Sequence, residues 1–218
     1  MNNAALLLVD LQNDFLPGGA LAVPDSDAVI AVANAVQERF QIVVATQDWH
    51  PADHISFAAN HPNKQPGDTL ELAGCSQVLW PVHCVQNSHG AEFAKQLNRD
   101  RWCAVFQKGT DPLLDSYSGF FDNGHEKATG LAEYLRALRI TQAFMMGLAT
   151  DYCVKFTVLD ACQLGLETFV IVDGCRGVDL VEGDSERAIT EMQAAGAVCL
   201  TSAEVLRQDF KALTEDDR

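Results

Sequence analysis

The sequence predicts an α/β fold: a three-layer α-β-α arrangement around a six-stranded, mainly parallel sheet. Two observations carry this. Six short apolar runs are continuous rather than alternating, as strands buried on both faces are. Between most of them lie stretches with apolar residues at helical spacing. Strands alternating with helices give a parallel sheet covered on both sides, with right-handed crossovers. With 218 residues, 48% of them hydrophobic, the chain suffices for one substantial core and is short for two. A single domain over residues 1–218 is therefore expected.

The first run is Ala4–Val9, ended by Asp10. Val29, Val32, Ala33, Val36 and Phe40 then recur at helical spacing, before a second strand at residues 42–45 that ends near Asp48. From Trp49 to Cys103 no strand is predicted. This excursion, residues 49–103, is rich in Pro, His, Asn and Gly, and an irregular connection of that length is usually functional. It holds His50, His54, His61, His83 and His89, five of the six histidines. A third strand at residues 104–106 ends at Lys108, and residues 131–138 read as a helix. The fourth strand, residues 143–146, runs into Gly147 and the pair Thr150-Asp151, which read as loop and helix N-cap residues. The segment after Cys153 is apolar nearly all round (Val154, Phe156, Val158, Leu159, Ala161, Cys162), as suits a helix buried in the core. A fifth strand at residues 168–172 ends at Asp173, a helix follows at residues 185–195, and residues 198–200 are a weaker sixth strand. The polar residues 211–218 are expected to fray.

A net charge of −15 and a pI near 4.6 repel phosphate backbones and anionic lipid, so neither nucleic acid nor membrane is an expected partner. Seven cysteines, an odd number with no Cys-x-x-Cys pair, fit reduced thiols and a cytoplasmic location better than a disulfide framework. The N-terminal apolar run is too short for a signal-peptide core, and no segment has the length of a membrane span. No Gly-x-Gly-x-x-Gly or phosphate-loop pattern follows any strand, which leaves a dinucleotide site without support.

Ligands of open α/β sheets bind beyond the carboxyl ends of the strands. Here those ends offer Asp10, Asp48, Lys108, the Cys153 turn and Asp173. Cys153 falls at a helix start, where free N–H groups and the helix dipole favour a thiolate; alternatively it is a small buried residue, like Cys162 or Cys199. Asp10 can serve as base for a thiol and Lys108 can stabilise the resulting anion; alternatively the two form a structural ion pair. Asp48 and His50 can reach one metal ion, with His83 as third ligand, and imidazole with carboxylate suits Zn²⁺, Fe²⁺ or Mn²⁺. The alternative is simply hydrogen-bonded histidines. His54 reads equally as a ligand, an outer partner or a solvated group. Phe15, Trp49, Trp80 and Tyr117 can wall a pocket for a flat ligand, or belong to the core.

Taken together and in order, six blocks resemble the nicotinamidase and pyrazinamidase branch of the isochorismatase-like cysteine hydrolases. They are Leu8-Val9-Asp10-Leu11-Gln12-Asn13-Asp14-Phe15, Gln47-Asp48-Trp49-His50-Pro51, Trp80-Pro81-Val82-His83-Cys84, Phe106-Gln107-Lys108-Gly109, Tyr117-Ser118-Gly119-Phe120 and the Cys153 turn. The resemblance spans nearly the whole chain. It implies a six-stranded parallel sheet, a catalytic triad of Asp10, Lys108 and Cys153, and metal ligands Asp48, His50 and His83. It further implies one divalent ion, Zn²⁺ or Fe²⁺ with Mn²⁺ as a third choice, and a cis peptide before Ala149 that aims the N–H groups of Ala149 and Cys153 at an oxyanion. The implied activity is deamidation of nicotinamide, and of pyrazinamide, through a Cys153 thioester, as a step of NAD salvage. The implied pocket closes around the ring with Phe15, Trp80 and Tyr117, and a homodimer is compatible with the family. The competing expectations are an isochorismatase or N-carbamoyl amidohydrolase of the same fold, a non-catalytic binding domain, and a metal-bound water as nucleophile.

Overall fold

The computed structural model describes residues 3–72 and 75–207; the polar tail at residues 211–218 lies outside the described residues. Six strands form one parallel sheet: β1 (Ala4–Val9), β2 (Ile42–Asp48), β5 (Trp102–Lys108), β6 (Gln142–Leu148), β7 (Glu167–Arg176) and β8 (Val198–Leu200), in the order β5-β2-β1-β6-β7-β8. β1 lies between β2 and β6, with Leu6 opposite Val43 on one side and Phe144 on the other. All six of its residues are buried, which is why the run is apolar throughout rather than alternating. Helix α1 (Asp27–Val36) packs with α5 (Ser202–Arg207), and α3 (Lys155–Gln163) with α4 (Asp184–Ala194), on the two faces of the sheet; α2 (Leu131–Ala137) precedes β6. Phe144 stacks on Phe169 of the next strand at 4.4 Å between ring centroids, and Phe40 meets Phe144 edge-on.

From β1 the chain moves outward through β2 to β5, then returns and moves the other way through β6, β7 and β8. The connections leaving β1 and β6 therefore diverge, and a crevice opens between the carboxyl ends of these two strands. Asp10 and the Cys153 turn stand on its two sides.

Several expectations are corrected. The excursion contains a two-stranded antiparallel hairpin, β3 (Thr69–Leu72) with β4 (Cys75–Val78). Its four-residue strands are too short for their alternation to stand out. β7 does not stop at Asp173; a register irregularity opposite Met145 to Gly147 lets it continue to Arg176. The Asp173 carboxylate accepts the Ser202 N–H and hydroxyl, so it caps the start of α5 and takes no part in the crevice. Cys153 is not in the first turn of an α-helix but in a π-helical turn, Thr150–Val154, that precedes α3. α3 is less uniformly buried than its composition predicts: Val158 and Ala161 face the core, while Phe156 is 36% exposed. No helix among the described residues is long and apolar enough to cross a membrane.

Candidate active site

Asp10 is the first residue past β1 and adopts φ +49°, which turns its side chain back over the sheet edge. Thr46 of β2 donates its hydroxyl to Asp10 Oδ1 at 2.6 Å. Lys108 ends β5 beside Asp48, its register partner at the end of β2. Its ammonium is fully enclosed and lies 2.9 Å from Asp10 Oδ2, against Asp48 Oδ1, 3.0 Å from the Ser116 carbonyl and 3.3 Å from Cys153 Sγ. Burial would strip that ammonium of its proton, but Asp10 and Asp48 outweigh burial and hold its pKa well above the usual amine range. For Asp10, burial outweighs Lys108 and raises the pKa. For Cys153, burial likewise outweighs Lys108 and pushes the thiol well up. This corrects the thiolate expectation. The helix-start argument counts N–H groups, but enclosure and the two nearby carboxylates oppose the thiolate, which gives a base beside the sulfur a task.

Asp48 joins what the sequence presents as two separate constellations. Its Oδ1 meets Lys108, and its Oδ2 faces His50 Nε2 at 3.6 Å and His83 Nε2 at 3.8 Å. The other nitrogen of each ring is held by a carbonyl, His50 Nδ1 by Gly109 O at 2.9 Å and His83 Nδ1 by Pro81 O at 2.8 Å. A carbonyl only accepts, so each Nδ1 carries a proton and each Nε2 is the ring nitrogen turned toward Asp48, the one available to a cation when deprotonated. Ligand atoms of the three residues lie within 4.8 Å of one another, and all three are buried. Two imidazole nitrogens and one carboxylate oxygen suit a divalent cation with open positions. His54 packs at a tilt against His50, 4.2 Å between ring centroids, with its own nitrogens on Ser56 Oγ and the Leu114 carbonyl. Burial, then His50, pushes its pKa down to about 4. His50, His54 and Asp115 form a second group with ligand atoms in mutual reach.

The pocket over these groups is walled by Phe15, Leu21, Trp80, Tyr117, Tyr152 and Val178, with Ala149 and Cys153 on one side and Asp115 and Ser116 on another. Trp80 donates its indole N–H to the Tyr117 hydroxyl at 3.1 Å and meets Tyr152 edge-on. The Leu148–Ala149 peptide is cis. The structure thus brings Asp10, Lys108, Cys153, Ala149, Asp48, His50, His83, Phe15, Trp80 and Tyr117 to one place. Trp49 it does not; that ring packs on the core and lines an outer groove with Phe93. A wider surface groove around Asn13, Pro17, Asn34 and His89 carries neither thiol nor amine, so the chemistry sits in the smaller pocket.

Sequence reasoning missed Leu21, Asp115 and Val178, which sit in connections without periodicity, and Tyr152, which lies beside Cys153 in the π-helical turn. It also missed two residues that position others. Gln12 clamps Asp48 by its backbone, accepting the Asp48 N–H and donating to its carbonyl, both at 2.8 Å. Asp14 accepts the Cys84 N–H at 2.7 Å and so fixes the turn that carries His83. Both lie in the first of the six sequence blocks. The Thr150-Asp151 pair does not cap its own helix, since the Asp151 carboxylate bonds to the backbone of Val178 and Asp179.

Residues 4–204 match the isochorismatase domain, and the chain belongs to that family. Within it, the chain is 54% identical over 204 residues to the nicotinamidase of Escherichia coli (strain K12), covering 92% of this chain and 95% of that one. Among solved structures, it superposes on an Acinetobacter baumanii nicotinamidase and pyrazinamidase with a TM-score of 0.92 at 48% identity, over 94% of this chain and 99% of that one. A Pyrococcus horikoshii pyrazinamidase in complex with zinc matches with a TM-score of 0.75 at 37% identity, over 91% and 99% of the two chains.

Proposed function

We infer that the chain is a metal-containing cysteine amidohydrolase that converts nicotinamide to nicotinate and ammonia, a deamidation step of NAD salvage, and that it acts likewise on pyrazinamide. The observation that carries this reading is the Lys108 ammonium held between Asp10, Asp48 and Cys153 Sγ, with two imidazole Nε2 atoms on the far side of Asp48. A same-fold hydrolase without a metal has no use for His50 and His83 turned onto one carboxylate.

In the reading we favour, Asp10 takes the Cys153 proton as the sulfur attacks the amide carbon. The raised Asp10 pKa suits this role, because a carboxylate tuned upward is a better base. Lys108 stabilises the charge that passes between them. The tetrahedral oxyanion is received by the N–H groups of Ala149 and Cys153, each such donor contributing about 3–4 kcal/mol in comparable sites. Asp10 returns the proton to the amide nitrogen, the C–N bond breaks, and ammonia leaves a thioester on Cys153. A water deprotonated by Asp10 then attacks the thioester, the C–S bond breaks, and the thiol takes its proton back. Asp48, His50 and His83 would hold the divalent ion, Zn²⁺ or Fe²⁺ before Mn²⁺. When bound it supplies a Lewis-acid anchor for the ring nitrogen, which positions the amide. Phe15, Trp80 and Tyr117 grip the ring. Residues 1–218 act as one hydrolase domain in this reading.

The test is ammonia release from nicotinamide by purified protein, with elemental analysis of the same sample. Turnover together with about one divalent ion per chain supports the reading. Fully metal-loaded protein that releases no ammonia would sink it.

A further inference from the structure

Asp151 belongs to neither the triad nor the metal cluster. It stands two residues before Cys153 in the π-helical turn and is 4% exposed. A carboxylate at that depth needs partners. Here they are backbone N–H groups that do not belong to its own helix. Oδ1 accepts the Val178 N–H at 3.0 Å and Oδ2 accepts that of Asp179 at 2.8 Å. Burial pushes the Asp151 pKa up, and these two bonds oppose that push.

The two residues it holds matter for different reasons. Val178 follows β7 by two residues and lines the same pocket as Cys153. Asp179 extends the tie. Its carboxylate accepts the backbone N–H and the hydroxyl of Ser185, both at 2.8 Å, in the first turn of α4. Gly177 lets the three parts close up, since a Cβ there would overlap Ser185 Oγ and lie 3.2 Å from Asp151 Oδ1. One continuous run of hydrogen bonds therefore links the nucleophile turn, the pocket wall and the start of a helix.

From this geometry we propose that Asp151 is a positioning residue, latching the Val178 wall to the turn that carries Cys153. The width of the ring pocket and the placement of the sulfur are then set by the two oxygens of one side chain. The proposal rests on the amidohydrolase reading for its substrate, and on the structure alone for the latch. An asparagine has the same outline but only one acceptor oxygen. Its NH₂ group would face one of the two N–H donors, so at least one bond is lost and the wall loosens. A loosened wall weakens the grip on the ring in ground state and transition state alike, which raises KM more than it lowers kcat.

The experiment uses Asp151→Asn and Val178→Ala, singly and combined, in the full-length metal-loaded protein. Asp151→Asn should raise KM for nicotinamide about tenfold, the loss of one charge-assisted hydrogen bond. Its kcat per titratable thiol should stay within about threefold of wild type. Iodoacetamide should alkylate Cys153 several-fold faster, because the wall no longer covers it. Val178→Ala should show the same signature with Asp151 intact. The double variant should be no worse than the poorer single one, because both act through one contact. A variant in which KM and alkylation are unchanged and only the amount of folded enzyme falls would overturn the latch, as would single effects that multiply in the double variant. If Asp151→Asn does not fold, Val178→Ala and Ser185→Ala, which loosens the far end of the same tie, carry the test. An unchanged KM in both overturns the proposal. Wild type that releases no ammonia would strike down the amidohydrolase reading instead, and the alkylation rates would still decide the latch.

Discussion

Gly109→Ala tests whether the carbonyl behind His50 sets the metal site. Gly109 follows Lys108 directly and adopts φ +59°. An alanine there incurs about 1–2 kcal/mol of left-handed strain. The larger effect is steric. A Cβ would overlap His50 Cε1 and lie 2.5 Å from Nδ1. Ordinary contact distance is about 3.5 Å, so the ring or the loop must give by roughly 1 Å. Either movement breaks the 2.9 Å bond that holds the proton on Nδ1 and turns Nε2 toward Asp48. Loss of such an outer hydrogen bond typically weakens metal affinity about 10–100-fold. The assay is competition with a chromophoric chelator at fixed pH, which reads affinity without turnover. Thermal unfolding of chelator-treated protein reports the strain alone, and should fall by a few degrees, about 2–4 °C per kcal/mol for a chain of this size. Wild-type metal affinity in a folded variant would refute the reasoning, because the geometry leaves no room for the methyl group without moving the His50 ring or the loop behind it.

Cys153→Ala should abolish ammonia release in a folded protein, while Cys162→Ala and Cys199→Ala keep most of it; substantial turnover by Cys153→Ala with metal bound would point to a metal-bound water as nucleophile. Lys108→Met removes the one cation that lowers the pKa of the buried thiol, so Cys153 should alkylate more slowly at neutral pH, and the gap to wild type should close as pH rises toward the thiol's own range. An unchanged rate at pH 7 would make Lys108 a bystander. Metal removal should cost nicotinamide and pyrazinamide far more in kcat/KM than benzamide, which has the same amide and ring size without the ring nitrogen. A comparable loss for all three would end the anchoring role given to Asp48, His50 and His83.

What the sequence makes legible follows from burial. Residues 4–9, 42–45 and 143–146 read as strands because a strand covered on both faces has no room for polar alternation. Once those runs are placed in parallel, their carboxyl ends must share an edge, and Asp10 and Asp48 follow from the placement alone; Lys108 follows likewise from the short run at residues 104–106, although its strand alternates between half-buried and exposed residues. The direction of a side chain in a turn does not follow. Asp151 reads as a cap because Thr-Asp before an apolar segment usually is one. The π-helical turn rotates it toward β7, and no pattern in the sequence records that rotation. Val178 and Asp115 escape for a related reason. They act through where a non-repeating connection passes, and Gln12 acts through a backbone 36 positions away. The thiol shows the limit of counting neighbours by sequence, since the enclosure that pushes its pKa up is visible only in the packed structure.

Asp48 serves two masters with its two oxygens, one turned to Lys108 and one to the paired imidazoles. The arrangement removes a freedom that separate sites would have. A cation drawn onto Oδ2 withdraws electron density from the same carboxylate that steadies the ammonium on Oδ1, and the ammonium in turn touches the sulfur. On the proposed reading, ion preference and nucleophile strength would therefore not be independent traits. If Asp48 holds the ion and Cys153 is the nucleophile, a substitution chosen to exchange one metal for another should also retune the thiol through Lys108.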